Sequence, residues 1–268
     1  MAGTRRLPSA LTIASSDSGG GAGIQADLLT FAAHGVHGTT VLAAATAQNT
    51  REVTAIETLS PRFLRRQLDA VFSDFRPRAV KIGMLFGGSQ IRAVAAGLSR
   101  WKAFNVVLDP VMVAKSGARL LSRGALSSLE TRLLPLADLV TPNLPEAEVL
   151  AGIRVSTEAD RRLAAGIIAD KGPRAVLIKG GHSRSKEVRD LLFDGQCFTV
   201  FAAPRLRTRA SHGTGCTLSS AIAANLALGR PLDESIERAI AYLRAGLREG
   251  LFPGRGFGVP DHFPGRRR

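Results

Sequence analysis

The stretch Ser211-His212-Gly213-Thr214-Gly215-Cys216-Thr217-Leu218-Ser219-Ser220 turns on two glycines and runs directly into an alanine-rich segment. Leu218, Ile222 and Leu226 recur at helical spacing, Gly229 ends the pattern and Pro231 follows, so the turn is expected to open a helix. The first amides of a helix lack intrahelical partners, and the helix dipole adds partial positive charge there. Gly213, Thr214, Gly215 and Cys216 therefore form a candidate seat for a phosphate or a developing anion. A thiol in that field is expected to have a lowered pKa, which makes Cys216 a candidate acid/base. The same residues also describe a tight turn entering a buried helix, with Cys216 a small core residue.

The chain of 268 residues is 45% hydrophobic, enough to bury a full core. No apolar run approaches the ~18 residues of a membrane helix. The apolar segment after the basic start Met1 to Pro8 is too short for a signal peptide, so a cytoplasmic protein with no membrane partner is expected. Cys197 and Cys216 are too few for a disulfide framework or a zinc site. A net charge of +14 raises nucleic acid as a partner, but the arginines are scattered and the lone Trp101 and Tyr242 offer no stacking platform. A solvated basic surface without nucleic acid is the expected reading.

In chain order, Leu11 to Ala14 reads as a buried strand that enters the glycine loop Gly19-Gly20-Gly21-Ala22-Gly23, with a helix following to His34. Gly21 to Ala26 loosely fits a dinucleotide fingerprint, but no acid closes a following strand at the required distance. The loop is instead expected to let a small substrate lie against bare backbone, with Asp27 as an acceptor; an ordinary first-turn helix acid is the competing reading. Val36 to Ala47 is strand-rich and delivers Gln48, whose amide can both donate to and accept from an amino-substituted heteroaromatic ring. Ser60-Pro61 is a helix cap followed by proline in the first turn. Ala79 to Met84 is a short strand placing Met84 where it packs on a flat ring or in the core.

Asn105 to Met112 is a buried strand carrying Asp109 to the ligand side of an open α/β sheet, before the polar and mobile loop Lys115-Ser116-Gly117. Asn143 is expected to cap the helix that Pro145 and Glu146 begin, and Asn143 with Glu146 at one helix end suits the water shell of Mg²⁺. Ala175 to Lys179 is a strand delivering Lys179, and Val188 to Phe201 is a hairpin around Asp194-Gly195. A final helix spans about 233 to 249. The alternation of strands and helices implies an α/β fold with a mostly parallel sheet covered on both faces. With no linker and no repeat, residues 1–268 read as one domain with a basic tail (1–9) and a flexible C-terminal tail (252–268). No G-x-x-x-x-G-K-[ST] occurs, which excludes a P-loop kinase.

Seven blocks in order resemble the ribokinase superfamily, and within it the hydroxymethylpyrimidine and hydroxymethylpyrimidine phosphate kinases of thiamine biosynthesis. They are Gly-Gly-Ala-Gly-Ile-Gln-Ala-Asp at 20–27, Ala-Gln-Asn-Thr at 47–50, Lys-Ile-Gly-Met at 81–84, Asp-Pro-Val-Met at 109–112, Thr-Pro-Asn-Leu-Pro-Glu-Ala at 141–147, Lys-Gly-Gly-His at 179–182 and His-Gly-Thr-Gly-Cys-Thr-Leu-Ser at 212–219. The resemblance implies a ribokinase-like three-layer αβα sandwich, ATP as co-substrate, Mg²⁺ and a homodimer. It implies that Gly213, Thr214, Gly215 and Cys216 are catalytic, with Cys216 as the base. Asp27, Gln48, Met84 and Val111 would hold the pyrimidine, Asp109 and Glu146 the metal, and Lys179 and Asn143 the nucleotide. The hairpin would belong to the nucleotide side. Ser15 departs from the family's usual glycine, and Gly254 to Phe263 keeps only part of its closing Gly-His-Gly-Pro-Val-x-His-Phe. A pyridoxine or pyridoxal kinase, and a pyrimidine-sensing protein without catalysis, are the competing expectations.

Overall fold

The computed structural model describes residues 7–114, 116–182 and 186–265. Lys115, Met1 to Arg6 and Arg266 to Arg268, which carry parts of the expected loop and tails, lie outside them. In chain order the elements are β1 (Ser9–Asp17), α1 (Gly23–Ala33), β2 (His37–Gln48), β3 (Val53–Thr58), α2 (Pro61–Asp74), β4 (Ala79–Ile82), α3 (Gly88–Trp101), β5 (Val106–Leu108) and α4 (Ala125–Ser128). They continue with β6 (Leu139–Val140), α5 (Leu144–Ala151), α6 (Glu158–Ala169), β7 (Val176–Ile178), β8 (Glu187–Phe193), β9 (Phe198–Pro204), α7 (Thr214–Ala227) and α8 (Leu232–Arg248).

The nine strands form one sheet in the order β3-β2-β1-β4-β5-β6-β7-β8-β9. Pairings from β2 through β1, β4, β5 and β6 to β7 are parallel, and β3, β8 and β9 add antiparallel edges. The central strands are mostly apolar because both faces are covered, with Thr12 in β1 and Lys81 in β4 among the buried polar exceptions. Alternate residues sort cleanly: Ile13, Val80, Ile82, Leu108 and Ile178 face the core under α2, α3, α5 and α6. Ala10, Ala79, Val107, Leu139 and Leu177 face the core under α1, α7 and α8. This is the expected three-layer αβα sandwich.

The chain leaves β1 toward β2 on one side and returns to β4 on the other, so the strand order reverses between β1 and β4 while the strands stay parallel. Open α/β sheets bind ligands outside the carboxyl ends of their strands at such a point. Asp17, Gly83, Asp109, Thr141 and Lys179 all sit at those ends.

Behind the reversal lies a buried ion pair. Lys81 alternates onto the α1/α7 face, where its Nζ donates to both oxygens of Asp27 at 2.8 Å. Thr12 Oγ1 and Ser220 Oγ donate to the same carboxylate at 2.6 and 2.7 Å. One carboxylate thus ties β1, β4, α1 and α7 together, and both charged side chains are wholly buried.

The segment expected as a flexible tail follows a pinned path as far as Gly265. Leu251 and Val259 bridge, Tyr242 Oη donates to the His262 carbonyl at 3.0 Å, and Asp261 and His262 are buried. Helix α8 lets it pack closely at Gly246, where an added Cβ would lie 2.5 Å from the Asp261 carbonyl oxygen.

Removing one partner of a buried pair strands the other charge, which typically costs ~3–5 kcal/mol, whereas replacing both with apolar groups costs much less. Urea unfolding of Asp27→Leu is therefore expected to show a large loss of stability that the double variant Asp27→Leu/Lys81→Met recovers by more than half. A double variant at least as unstable as the single one would contradict the pairing.

Candidate active site

Gly213 opens α7 in the left-handed region, at φ 75°, where its backbone lies so close to the Gly21 carbonyl that no side chain fits. Among the described residues no side chain caps this helix start, so its first-turn amides face outward as donors. A Cβ on Gly215 would lie 3.3 Å from Asp109 Oδ2 and 3.4 Å from Lys179 Nζ, so the bare backbone of the turn stands directly against that pair. Lys179 Nζ donates to Asp109 Oδ1 at 2.7 Å. Burial works to lower the Lys179 pKa, but Asp109 and Glu146 outweigh it and hold the ammonium above its usual range.

Glu146 and Asn143 close a capping box at the start of α5. Asn143 Oδ1 accepts from the Glu146 amide at 3.0 Å, and Glu146 Oε2 accepts from the Asn143 amide at 2.8 Å. A bridge between Asn143 and Lys179 sets this helix start beside the strand end that carries Lys179. Burial pushes the Glu146 carboxyl up to about 7, with Asp109 adding to the shift and Lys179 opposing it. The expected metal and nucleotide residues are thus brought together with the anion turn.

On the other side of the turn, Asp17 Oδ2 accepts from the amides of Gly21 and Ala22 at 3.1 and 2.9 Å, and Oδ1 accepts from Gly19 at 2.8 Å. The same carboxylate meets His212 Nε2 at 2.9 Å, joining the glycine loop to the anion turn. Burial works to raise Asp17, but His212 and the loop amides outweigh it and hold its pKa down. Gln48 Nε2 lies 3.4 Å from His212 Nε2, and Thr46 Oγ1 donates to Gln48 Oε1 at 3.0 Å. Ser15 Oγ donates to the Met84 sulfur at 3.3 Å, and both are buried. Val111, half-buried, follows Asp109 in the loop after β5.

An uncapped helix start beside a lysine–carboxylate pair, at the carboxyl ends of parallel strands, presents amide donors and positive charge of the kind that suits an anionic group. The family model for phosphomethylpyrimidine kinase matches residues 17–261. The chain belongs to the phosphomethylpyrimidine kinase family. It is a phosphotransferase by that membership. A hydroxymethylpyrimidine/phosphomethylpyrimidine kinase from Rhizobium meliloti is 51% identical over 95% of this chain and 96% of its own length. A thiamine biosynthesis bifunctional protein from Geobacter sulfurreducens is 52% identical over 96% of this chain, which spans only 54% of that longer relative. Among solved structures, an ADP complex of Bacillus subtilis pyridoxal kinase superimposes with a TM-score of 0.91 at 34% identity, over 98% of this chain and 100% of that one. A phosphomethylpyrimidine kinase from Clostridium difficile gives 0.80 at 42% identity, over 89% and 98%. The ribokinase-like architecture is therefore shared with this family's relatives.

Two expectations change within the family site. Part of Cys216 remains exposed, yet burial of its thiol pushes it up to about 11 instead of down. Lys81 and the Gly23 amide pull the other way, while Asp27 and Asp109 add to the rise. The helix start alone therefore does not make a thiolate at neutral pH. Asp27, expected as a substrate acceptor, has no exposed surface, and its oxygens are taken by Thr12, Lys81 and Ser220. It acts inside the core, where its charge reaches Cys216.

Sequence reasoning assigned no role to Asp17, His212 or Lys81. Asp17 carried a signal, an acid at a strand end immediately before consecutive glycine amides. Lys81 carried another, a lone charge in an otherwise apolar strand.

The thiol shift has a direct readout. In a Cys197→Ser background, which removes the exposed second cysteine, alkylation of Cys216 is expected to accelerate with pH toward a midpoint near 11. A midpoint below the ordinary value of 9.0 would contradict the burial argument.

Proposed function

We propose that this protein transfers the γ-phosphoryl group of ATP to the hydroxymethyl group of 4-amino-5-hydroxymethyl-2-methylpyrimidine, and then phosphorylates the monophosphate to the pyrophosphate, in thiamine biosynthesis. The observation that carries this reading is the bare first turn of α7 set against Lys179 and Asp109 on one side and His212 and Gln48 on the other. A phosphoryl group seated on the turn then lies between a cationic, phosphate-facing side and an amide-bearing side suited to an aminopyrimidine. Gln48, Met84 and Val111 hold the ring on this reading, and Lys179 holds nucleotide phosphate. Asn143 acts by fixing Glu146. A homodimer in the cytoplasm completes the proposal and rests on the resemblance to the family.

The donor set fits Mg²⁺ of the kind bound through waters and phosphates. Asp109 and Glu146 are hard oxygen donors at one rim, and Gly215 keeps open the space a side chain would fill against Asp109. Among the described residues no cluster of three or more His, Cys, Asp or Glu cages a metal alone, so water and nucleotide phosphate would supply the rest of the shell. A Mg²⁺ held by Asp109 and Glu146 would supply charge neutralisation for the phosphoryl oxygens.

With its pKa near 11, Cys216 is a thiol at neutral pH. The small thiolate fraction is the species able to take the substrate hydroxyl proton, while the amides of Gly213, Thr214, Gly215 and Cys216 receive charge developing on the transferring group. In the second reaction the attacking group is a phosphate oxygen that is already anionic, so no base is required. A second substrate is suggested by the shared fold: a pyridoxal kinase superimposes over 98% of this chain. Pyridoxal, which also carries a hydroxymethyl group on a six-membered ring, is therefore included as a side substrate.

ADP release from Mg·ATP, with hydroxymethylpyrimidine, its monophosphate and pyridoxal offered in parallel, tests the assignment. Turnover of both pyrimidines is expected, and silence with both would overturn it. Cys216→Ala is expected to reduce the first phosphorylation by ~10²-fold or more and the second much less, and to abolish a rise of the first rate with pH toward 11. Equal losses in both steps would contradict the base role. Gly215→Ala is expected to reduce kcat for both steps by on the order of 10²-fold with little change in melting temperature, because the added carbon occupies the phosphoryl seat.

A further inference from the structure

The segment Gly254 to Gly258 carries glycine at every second position, and the proposed reaction uses none of these residues. Its backbone clamps the loop that follows Gln48. The Gly256 amide donates to Thr50 Oγ1 at 2.9 Å, and the Phe257 amide donates to the Thr50 carbonyl at 2.9 Å. The next residue reaches the anion turn: the Gly258 amide donates to the Arg209 carbonyl at 3.0 Å, and the Gly258 carbonyl accepts from the His212 amide at 3.0 Å. A Cβ on Gly254 would lie 2.6 Å from Thr50 Oγ1, one on Gly256 would run into the Thr50 carbonyl, and one on Gly258 would lie 2.6 Å from the Leu251 carbonyl oxygen. Gly254 and Gly256 are therefore the contact face of a strap pressed on the pyrimidine-side loop, while the backbone of Gly258, packed on Leu251 and Phe252, ties the strap to the phosphoryl-side turn. Phe257 stands between two of them and lines the same pocket as Gln48, Thr50, Ala114 and His212.

We propose that this strap is a substrate-selecting wall, in which Phe257 closes the mouth beside Gln48 and selects for a flat aromatic ring. The inference rests on the proposed reading of the site as a pyrimidine pocket. The amide of Gln48 orients the ring through its edge, and an aromatic side chain is the group that adds an apolar, geometrically selective surface for its face. The clamp on Thr50 keeps that surface in register with Gln48, and the Gly258–His212 bond keeps both in register with the turn where the phosphoryl group is seated. Phe257 is thus a specificity-determining residue, distant from the nucleotide side at Lys179 and Asn143.

The test is steady-state kinetics of Phe257→Ala, Phe257→Tyr and Gly256→Ala beside the wild-type enzyme, with hydroxymethylpyrimidine and ATP varied separately. Phe257→Ala is expected to raise the KM for the pyrimidine by about tenfold, with kcat and the KM for ATP within about twofold. Phe257→Tyr is expected to restore the wild-type KM. Gly256→Ala, which keeps the phenyl ring but pushes the strap off Thr50, is expected to raise the pyrimidine KM alone in the same way. An unchanged pyrimidine KM in both Phe257→Ala and Gly256→Ala, or a parallel loss in kcat and ATP binding with no rescue by Phe257→Tyr, would overturn the proposal and reduce the strap to a structural element. Wild-type turnover measured in the same series separates these outcomes from failure of the function itself: a wild-type enzyme that phosphorylates the pyrimidine while the variants match it refutes the strap alone.

Discussion

The site depends on one constraint, the start of α7 standing open at the carboxyl edge of the sheet. Helix starts are normally closed by a Ser, Thr, Asp or Asn side chain, as α2, α5 and α6 are here by Ser60, Asn143 and Thr157. Helix α7, like α1, α3 and α8, has no side-chain cap among the described residues, but it alone of these has a left-handed glycine as its N-cap, with Gly215 of its first turn against the Lys179–Asp109 pair. Everything around it preserves that opening. Gly21 presses on Gly213 from one side, Gly215 leaves room for ligand on the other, and Asp17 gathers the loop amides that would otherwise compete for the anion.

Charge is arranged in two tiers around this opening. The lower tier is the Lys81–Asp27 pair, sealed between the sheet and helices α1 and α7. The upper tier is the Lys179–Asp109 pair, with Glu146 nearby, at the rim where solvent and ligand arrive. Cys216 lies in the field of both tiers, and its protonation follows the balance between burial and Lys81 more than the helix dipole. Burial, with Asp109 adding and Lys179 opposing, leaves Glu146 with a pKa of about 7, so it carries its full charge only above neutral pH. Because a raised carboxyl pKa means that the folded state holds the proton longer than the unfolded one, this group weakens the fold as pH climbs from about 4.5 to 7. A divalent cation at the rim would reverse that sign.

Most of the architecture was legible because local chemistry and tertiary environment agree. Ser60-Pro61 and Asn143-Leu144-Pro145-Glu146 mark helix starts, and both caps form as read. Apolar runs such as 79–82 and 106–108 become central strands because the sheet buries both faces. What was not legible arises from long-range packing. The chain order gives no hint that Ser220 and Lys81 converge on Asp27, which converts an apparent first-turn helix acid into a core anchor. Nor does a glycine-rich end announce that Thr50, some two hundred positions earlier, waits to clamp it. The Cys216 shift was misread for a related reason: a helix start argues for a thiolate only while the thiol keeps its water, and this one loses much of it.

The central claim, that the open start of α7 is the seat of the transferring group, is tested most directly by a crystal structure with hydroxymethylpyrimidine, Mg²⁺, ADP and aluminium fluoride, a mimic of the phosphoryl group in flight. The account predicts fluoride density within hydrogen-bonding distance of the Gly213 to Cys216 amides, with Lys179 on its nucleotide side and the pyrimidine hydroxymethyl group in line on the Cys216 side. Fluoride density away from the α7 start, with those amides facing solvent, would contradict it.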